Sequence, residues 1–261
     1  MMGIRQEAYG SHPSQFLRLH VPPGRSLTTI VIVHGGYWKN KYTLDNAAIS
    51  SLAPALSEAG YAVVEVEYRR RDDAGGGWPG SCDDLVAALR HIATGAGDAW
   101  GSVDASRVVL LGHSAGGYLA LVAAHRAAAS GECLVPRLTV ADLVAGFERR
   151  LSDEGDAVER FMGVPYDKDP DLYRRASPIH AMLPLKTPTL IVTGTDDVDV
   201  PVDMTRAFAT AAAEAARRAP AEAEAPPPHY VELLGADHYT PLDATTPHWA
   251  TLLATIEAAF G

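Results

Sequence analysis

The segment Gly112-His113-Ser114-Ala115-Gly116 lies between an apolar run, Arg107 to Leu111, and an alanine-rich stretch, Gly116 to Ala129, with apolar residues three and four apart. No other feature constrains the chain so tightly. A strand that enters a helix through so short a turn brings the two backbones so close that a Cβ at either glycine would clash, which leaves the serine alone to project. The amide of Ala115 then opens the helix, where backbone N–H groups lack partners and the dipole favours an anion.

Around this turn, strand-like and helix-like segments alternate. Apolar runs occur at Gln15 to Val21, Thr28 to Val33, Tyr61 to Tyr68, Arg107 to Leu111, Pro188 to Thr193 and His229 to Leu234. Several are continuously apolar, as suits strands buried on both faces of a mostly parallel sheet. Helical spacing marks Thr43 to Ala59, Asp83 to Ala93, Gly116 to Ala129, Met204 to Arg218 and His248 to Phe260. The alternation predicts an α/β fold with helices on both faces of the sheet. A length of 261 residues suits one domain over 1–261. Two regions break the rhythm. Residues 134–176 hold a weak apolar run, "VPRLTVADLV", then "FERRLSDEGDAVERFMG" and "YDKDPDLYRR", and predict a small cap or a surface insertion. The stretch "APAEAEAPPP" reads as an exposed linker.

Composition excludes several partners. A net charge of -10 argues against nucleic acid, and the one basic run, Arg69-Arg70-Arg71, is followed at once by Asp72 and Asp73. Two cysteines, Cys82 and Cys133, give no disulfide framework and no Cys-x-x-Cys motif. The N-terminal stretch lacks the apolar core of a signal peptide, and no apolar run is long enough to cross a bilayer, so the expectation is a cytoplasmic protein without a membrane partner. Gly75 to Gly80, "GGGWPG", satisfies a dinucleotide-binding pattern literally. However, five charged residues separate it from its strand and Pro79 stands where a helix would offer amides, so it reads as a loop.

A serine hydroxyl becomes nucleophilic at neutral pH only beside a base that a carboxylate orients. In a strand–turn–helix setting of this kind the order is serine, then acid, then histidine, each on a loop after a strand. After "PTLIVTG" comes "TDDVDVP", where Asp196, Asp197 and Asp199 compete for the acid's place. After "HYVELLG" comes "ADHYTP", and His238 is the candidate base; His229 and His248 read as structural or surface residues. A calcium loop would need a glycine where Pro201 follows. Stabilising the anion that develops on an acyl oxygen needs a second amide beside that of Ala115, and the loop "HGGYW" after Thr28 to Val33 supplies Gly35 and Gly36, with Tyr37 able to replace one of them. No metal or organic cofactor is called for.

At these residues the chain resembles the α/β-hydrolase superfamily and, within it, the hormone-sensitive-lipase-like esterases. The likeness includes His34-Gly35-Gly36, Tyr68-Arg69 with Pro79 and Asp83-Asp84, the turn Gly112 to Gly117, "ASPIHAML", and the acid and histidine loops. It implies an α/β-hydrolase fold with a small cap, and it sets the glycine-rich loop at a pocket rim. The pattern Gly-x-x-Asp-x-x-Val-Pro of such enzymes falls on Gly194 to Pro201 with Asp197 as the acid. Most of these esterases carry a third glycine where this chain has Tyr37-Trp38, and His-Gly-Gly-x-Trp is similar to the kynurenine formamidases (arylformamidases). That likeness implies hydrolysis of N-formyl-L-kynurenine to kynurenine and formate, with Tyr37 and Trp38 as an apolar substrate wall; packing of the loop is the competing role for both rings. Small esterases and carbohydrate deacetylases share the motif, so a short-acyl carboxylesterase is the alternative. A non-catalytic binding module on the same fold is the alternative of another class.

Overall fold

The computed structural model describes residues 4–20, 22, 28–49, 51–95, 103–104, 107–129, 143–223 and 225–260. Cys133 and most of the weak run at 135–144 lie outside them. The main sheet is built from β1 (Ile4–Ala8), β2 (Phe16–His20), β3 (Thr29–Val33), β4 (Ala62–Glu67) and β5 (Val108–Gly112), in the order β1-β2-β4-β3-β5. β3 runs parallel to both β4 and β5, whereas β2 is antiparallel to β4 and β1 to β2. A second, parallel pair joins β6 (Leu190–Gly194) to β7 (His229–Leu233).

The alternation of side chains along β3 explains why that strand is apolar throughout. Val31 and Val33 enter one hydrophobic cluster, and Ile30 and Ile32 enter another on the opposite face. The first face is covered by α2 (Gly80–Gly95) and α3 (Ala115–Ala129), whose Cys82, Leu85, Leu89 and Ile92, and Tyr118, Leu119, Val122 and Ala123, recur at helical spacing. The second is covered by α1 (Leu52–Glu58) and α9 (Pro247–Phe260), the latter through Trp249, Leu252 and Ile256. A third cluster joins Ile191 on β6 to Phe208, Ala209 and Ala212 of α8 (Val202–Arg218). The arrangement is that of an α/β-hydrolase fold. No helix among the described residues is long and apolar enough to cross a membrane.

Two elements differ from the expectation. The helical pattern over Thr43 to Ala59 yields only α1, and Thr43 to Ile49 form turns held by side-chain bonds. Leu44 N–H donates to the buried Glu67 Oε2 at 3.0 Å, Thr43 N–H to Asn46 Oδ1 at 2.8 Å, and Asn46 Nδ2 to the Lys41 carbonyl at 2.9 Å. β1 is a largely exposed edge strand with sequence IRQEA, too polar to register as a strand in sequence.

The segment after α3 contributes α4 (Leu143–Glu148), α5 (Ala157–Met162), α6 (Pro170–Ala176) and α7 (Pro178–Ala181). Leu143, Leu151, Val158, Phe161, Met162 and Tyr173 of this stretch join the same cluster as β3 and α3. It is fastened to the loop after β3 by an ion pair between Lys39 and Glu154 and by a hydrogen bond from Trp78 N–H to the Phe161 carbonyl at 2.8 Å in the neighbouring loop.

Candidate active site

The loops that follow β3, β5, β6 and β7 at their C-terminal ends meet at one place, the usual location of a site on a parallel sheet. At the end of β5 the chain turns with Ser114 at φ 54°, a left-handed conformation that costs a non-glycine residue on the order of 1 kcal/mol. The glycines beside it are required sterically. A Cβ on Gly116 would run into the carbonyls of Val33 and His34, and one on Gly112 into the backbone of Gly116 and Gly117. Gly116 N–H donates to the His113 carbonyl at 2.8 Å and Gly117 N–H to the Ser114 carbonyl at 2.9 Å, which closes the turn and leaves Ala115 as the first residue of α3.

Among the three competing aspartates, Asp197 is the one that meets His238. His238 Nδ1 donates to Asp197 Oδ2 at 2.7 Å, and Asp197 Oδ1 accepts the amides of Asp199 at 3.0 Å and Val200 at 2.8 Å. With its proton on Nδ1, the imidazole presents an Nε2 lone pair, the state a base requires. Asp196 instead bonds the Thr195 hydroxyl at 3.0 Å, and Asp199 accepts from Tyr37. Ser114 and His238 face the same two clefts, with no hydrogen bond between the two side chains. Pairs of this kind often tighten only once substrate is bound.

His113, the variable residue inside the serine motif, is buried and donates from Nε2 to the His238 carbonyl at 3.0 Å. Burial, and then the charge of His238, push its pKa down to about 3, so it stays a neutral donor that ties the serine turn to the histidine loop. Its position in the motif offered no signal of that role.

The loop after β3 is built for close approach. A Cβ on Gly35 would lie 2.7 Å from the His113 carbonyl and 2.8 Å from Ser114 Cβ, so only glycine lets this backbone reach the serine. Gly36, Tyr37 and Trp38 follow at φ 106°, 53° and 54°, three successive left-handed residues that curl the loop over the turn. Their anchor is His34, fully buried, with Nδ1 on the Gly35 carbonyl at 2.8 Å and Nε2 on Glu67 Oε1 at 3.1 Å. Glu67 also receives Arg70 Nη1 at 2.6 Å. Burial works to raise the Glu67 carboxyl, yet the bonds from His34, Arg70 and the Leu44 amide hold it below its ordinary range.

The two aromatics of this loop part company. Tyr37 lines an open cleft beside Ser114, together with Gly35, Gly36, Tyr42, Asp153, Asp199 and Tyr239. Its hydroxyl donates to the Asp199 carbonyl at 3.2 Å and to Asp199 Oδ1 at 3.3 Å, joining the loop after β3 to the acid loop. Trp38 is corrected from a substrate contact to a core residue. Only 1% exposed, it stacks on Phe161 at 4.0 Å and meets Tyr118 edge-on at 5.6 Å. Trp38→Ala is therefore expected to lower unfolding free energy by about 3–5 kcal/mol in urea titration. An unchanged urea midpoint with a raised KM would return the ring to the cleft.

Tyr42 and Asp153 enter the cleft from stretches that carried no motif, and Tyr239 from the loop read only for its histidine, so sequence reasoning missed all three. Among the described residues no group of three or more His, Cys, Asp or Glu converges as a metal set would.

Comparison with known proteins finds esterases. Esterase LipC of Mycobacterium tuberculosis is 26% identical over 222 residues, covering 78% of this chain and 53% of LipC. Esterase LipQ of the same organism is 26% identical over 233 residues, covering 84% of this chain and 53% of LipQ. The chain thus spans about half the length of the curated relatives it matches. In structure, a truncated carbohydrate esterase from gut microbiota superposes with a TM-score of 0.74 at 20% identity, covering 97% of this chain and 94% of that one. A hyperthermophilic esterase from the archaeon Pyrobaculum calidifontis gives 0.71 at 21% identity, covering 99% and 85%. Both likenesses concern the fold. The BD-FAE family matches residues 17–211, well over half the chain. With strands, turn and loops arranged as above, the chain belongs to the BD-FAE family of α/β-hydrolase esterases.

Proposed function

We propose that the protein is a serine hydrolase that cleaves short acyl esters through an acyl-enzyme. The observation that carries this reading is the 2.7 Å bond from His238 Nδ1 to Asp197, in a cleft that also holds Ser114 on its left-handed turn. Ser114 Oγ attacks the carbonyl carbon while His238 Nε2 takes its proton. Asp197 holds the imidazole in the working tautomer and offsets its charge once protonated. The amides of Ala115 and of Gly35 or Gly36 receive the developing oxyanion, each worth roughly 3 kcal/mol of barrier in hydrolases of this type. His238 returns the proton to the departing alcohol, and a water molecule, activated the same way, releases the acid.

The names of the relatives, esterases all, support an ester over a formamide. Hydrolysis of N-formyl-L-kynurenine is the second reading, and Tyr37 on the cleft wall is the observation that favours it; Trp38, in the core, no longer does. The deciding experiment compares kcat/KM for p-nitrophenyl acetate and N-formyl-L-kynurenine with purified protein. The ester is expected to be turned over at least ~100-fold more efficiently. A formamide rate equal to or above the ester rate reverses the order of the two readings, and absence of both activities together with no fluorophosphonate labelling leaves a binding module.

A further inference from the structure

The cleft beside Ser114 is one-sided in charge. Asp153 and Asp199 line it, and among the described residues no lysine or arginine does. Asp199 is half-buried, and its partner is the Tyr37 phenol, a neutral donor that orients the carboxylate without cancelling it. Two cations lie nearby but do not line the cleft: Lys39, paired with Glu154, lies 5.6 Å from the Tyr37 ring centroid, and Lys41 lies 4.9 Å from that of Tyr42. His113 is neutral, as shown above, and Asp197 is matched to His238. Three phenol rings, Tyr37, Tyr42 and Tyr239, line the same cleft. Both Tyr37 and Tyr239 have their ionisation pushed upward, by burial first and by Asp199 next, Tyr239 to about 12.

The negative lining shares the cleft with Ser114 and His238. Asp199 and Tyr239 each adjoin the catalytic pair: Asp199 N–H holds Asp197 Oδ1, and Tyr239 follows His238 with its ring 5.1 Å from the imidazole. A substrate group held in this cleft therefore lies against carboxylates and aromatic rings. Carboxylates and aromatic faces in a partly desolvated cleft attract an ammonium group by charge and by the ring quadrupole, and repel a carboxylate.

We propose that this cleft selects its substrate by charge, preferring an ester whose alcohol carries an ammonium group, with Asp199 and Asp153 as the selecting residues. The proposal rests on Ser114 being the nucleophile, and its test separates the two. Two methylphosphonothioates are compared that differ only in the leaving thiol: thiocholine in one, and in the other neohexanethiol, its uncharged carbon isostere. In both, the Ser114 Oγ–P bond forms as the P–S bond breaks, His238 passes the serine proton to the thiolate, and the adduct is identical. Each second-order rate is divided by the reagent's rate with hydroxide, which removes intrinsic reactivity.

At low ionic strength the cationic reagent is expected to react about tenfold faster, and the ratio to fall toward one at about 0.5 M salt. Asp199→Asn, which keeps an acceptor for the Tyr37 hydroxyl, and Asp153→Asn are each expected to lower the ratio, and the double variant to bring it near one; the ratio cancels any shared loss of reactivity. A wild-type ratio of one or below, or no reaction with either reagent while a neutral fluorophosphonate labels Ser114, overturns the charge proposal and leaves the nucleophile in place. A ratio that survives the double substitution overturns the assignment to these carboxylates. Failure of the fluorophosphonate itself to label Ser114 removes the nucleophile and this proposal together.

Discussion

Ser114→Ala is expected to abolish fluorophosphonate labelling and to lower ester hydrolysis by a factor on the order of 10⁵, while the protein still folds. The size of the loss follows from what the cleft retains without the hydroxyl. On the proposed mechanism the amides at Gly35, Gly36 and Ala115 would still polarise a bound carbonyl, but no covalent intermediate would form and water would have to attack unaided. Folding should survive because the serine side chain contributes no hydrogen bond to the described structure, and alanine preserves the turn. The strain at φ 54° provides an internal check. Ser114→Gly removes the same hydroxyl and also relieves the left-handed backbone, so it is expected to be about 1 kcal/mol more stable than Ser114→Ala in thermal or urea unfolding. Equal labelling of the alanine variant and the wild type would place the nucleophile elsewhere. A glycine variant no more stable than the alanine variant would show that the turn stores no strain.

The parts of this arrangement that were legible in the sequence are those set by local chemistry. Gly112 and Gly116 mark a turn that only glycine permits, and the continuous apolar runs of β3 and β5 mark strands buried on both faces. The order of loops along the chain brings Asp197 and His238 to neighbouring strand ends, since β6 and β7 pair directly. What sequence could not convey depends on distant partners. An aromatic that follows a glycine loop reads alike whether it faces a cleft or a core; Trp38 faces the core because Phe161, far along the chain, offers a stacking surface. Thr43 to Ala47 has helical spacing but forms turns, in which the Leu44 amide meets the carboxylate of Glu67 on a neighbouring strand. Asp153 reaches the cleft only because the segment after α3 is anchored there by the Lys39–Glu154 pair and by the packing of Phe161.

The acid of the site gives the sharpest contrast, because three aspartates stand within four positions and only their partners distinguish them. Asp197→Asn is expected to lower kcat for ester hydrolysis by a factor on the order of 10⁴. The geometry explains why an isosteric change should be so damaging. Asp197 Oδ1 accepts two backbone amides, from Asp199 and Val200, so an asparagine would set its carbonyl oxygen there and turn its NH₂ toward His238. Facing a donor, Nδ1 must become the acceptor, and the imidazole proton moves to Nε2. The nitrogen that should take the serine proton then already carries one. Asp196→Asn, whose side chain bonds only its neighbour's hydroxyl, is expected to stay within about twofold of wild type. Asp199→Asn, which keeps an acceptor for Tyr37, should lose less than about tenfold on a neutral ester. The three variants assayed side by side decide the matter. If Asp199→Asn loses more activity than Asp197→Asn, then the 2.7 Å bond between Asp197 and His238 is not the one that orients the base, and the acid has to be reassigned to the residue two positions on.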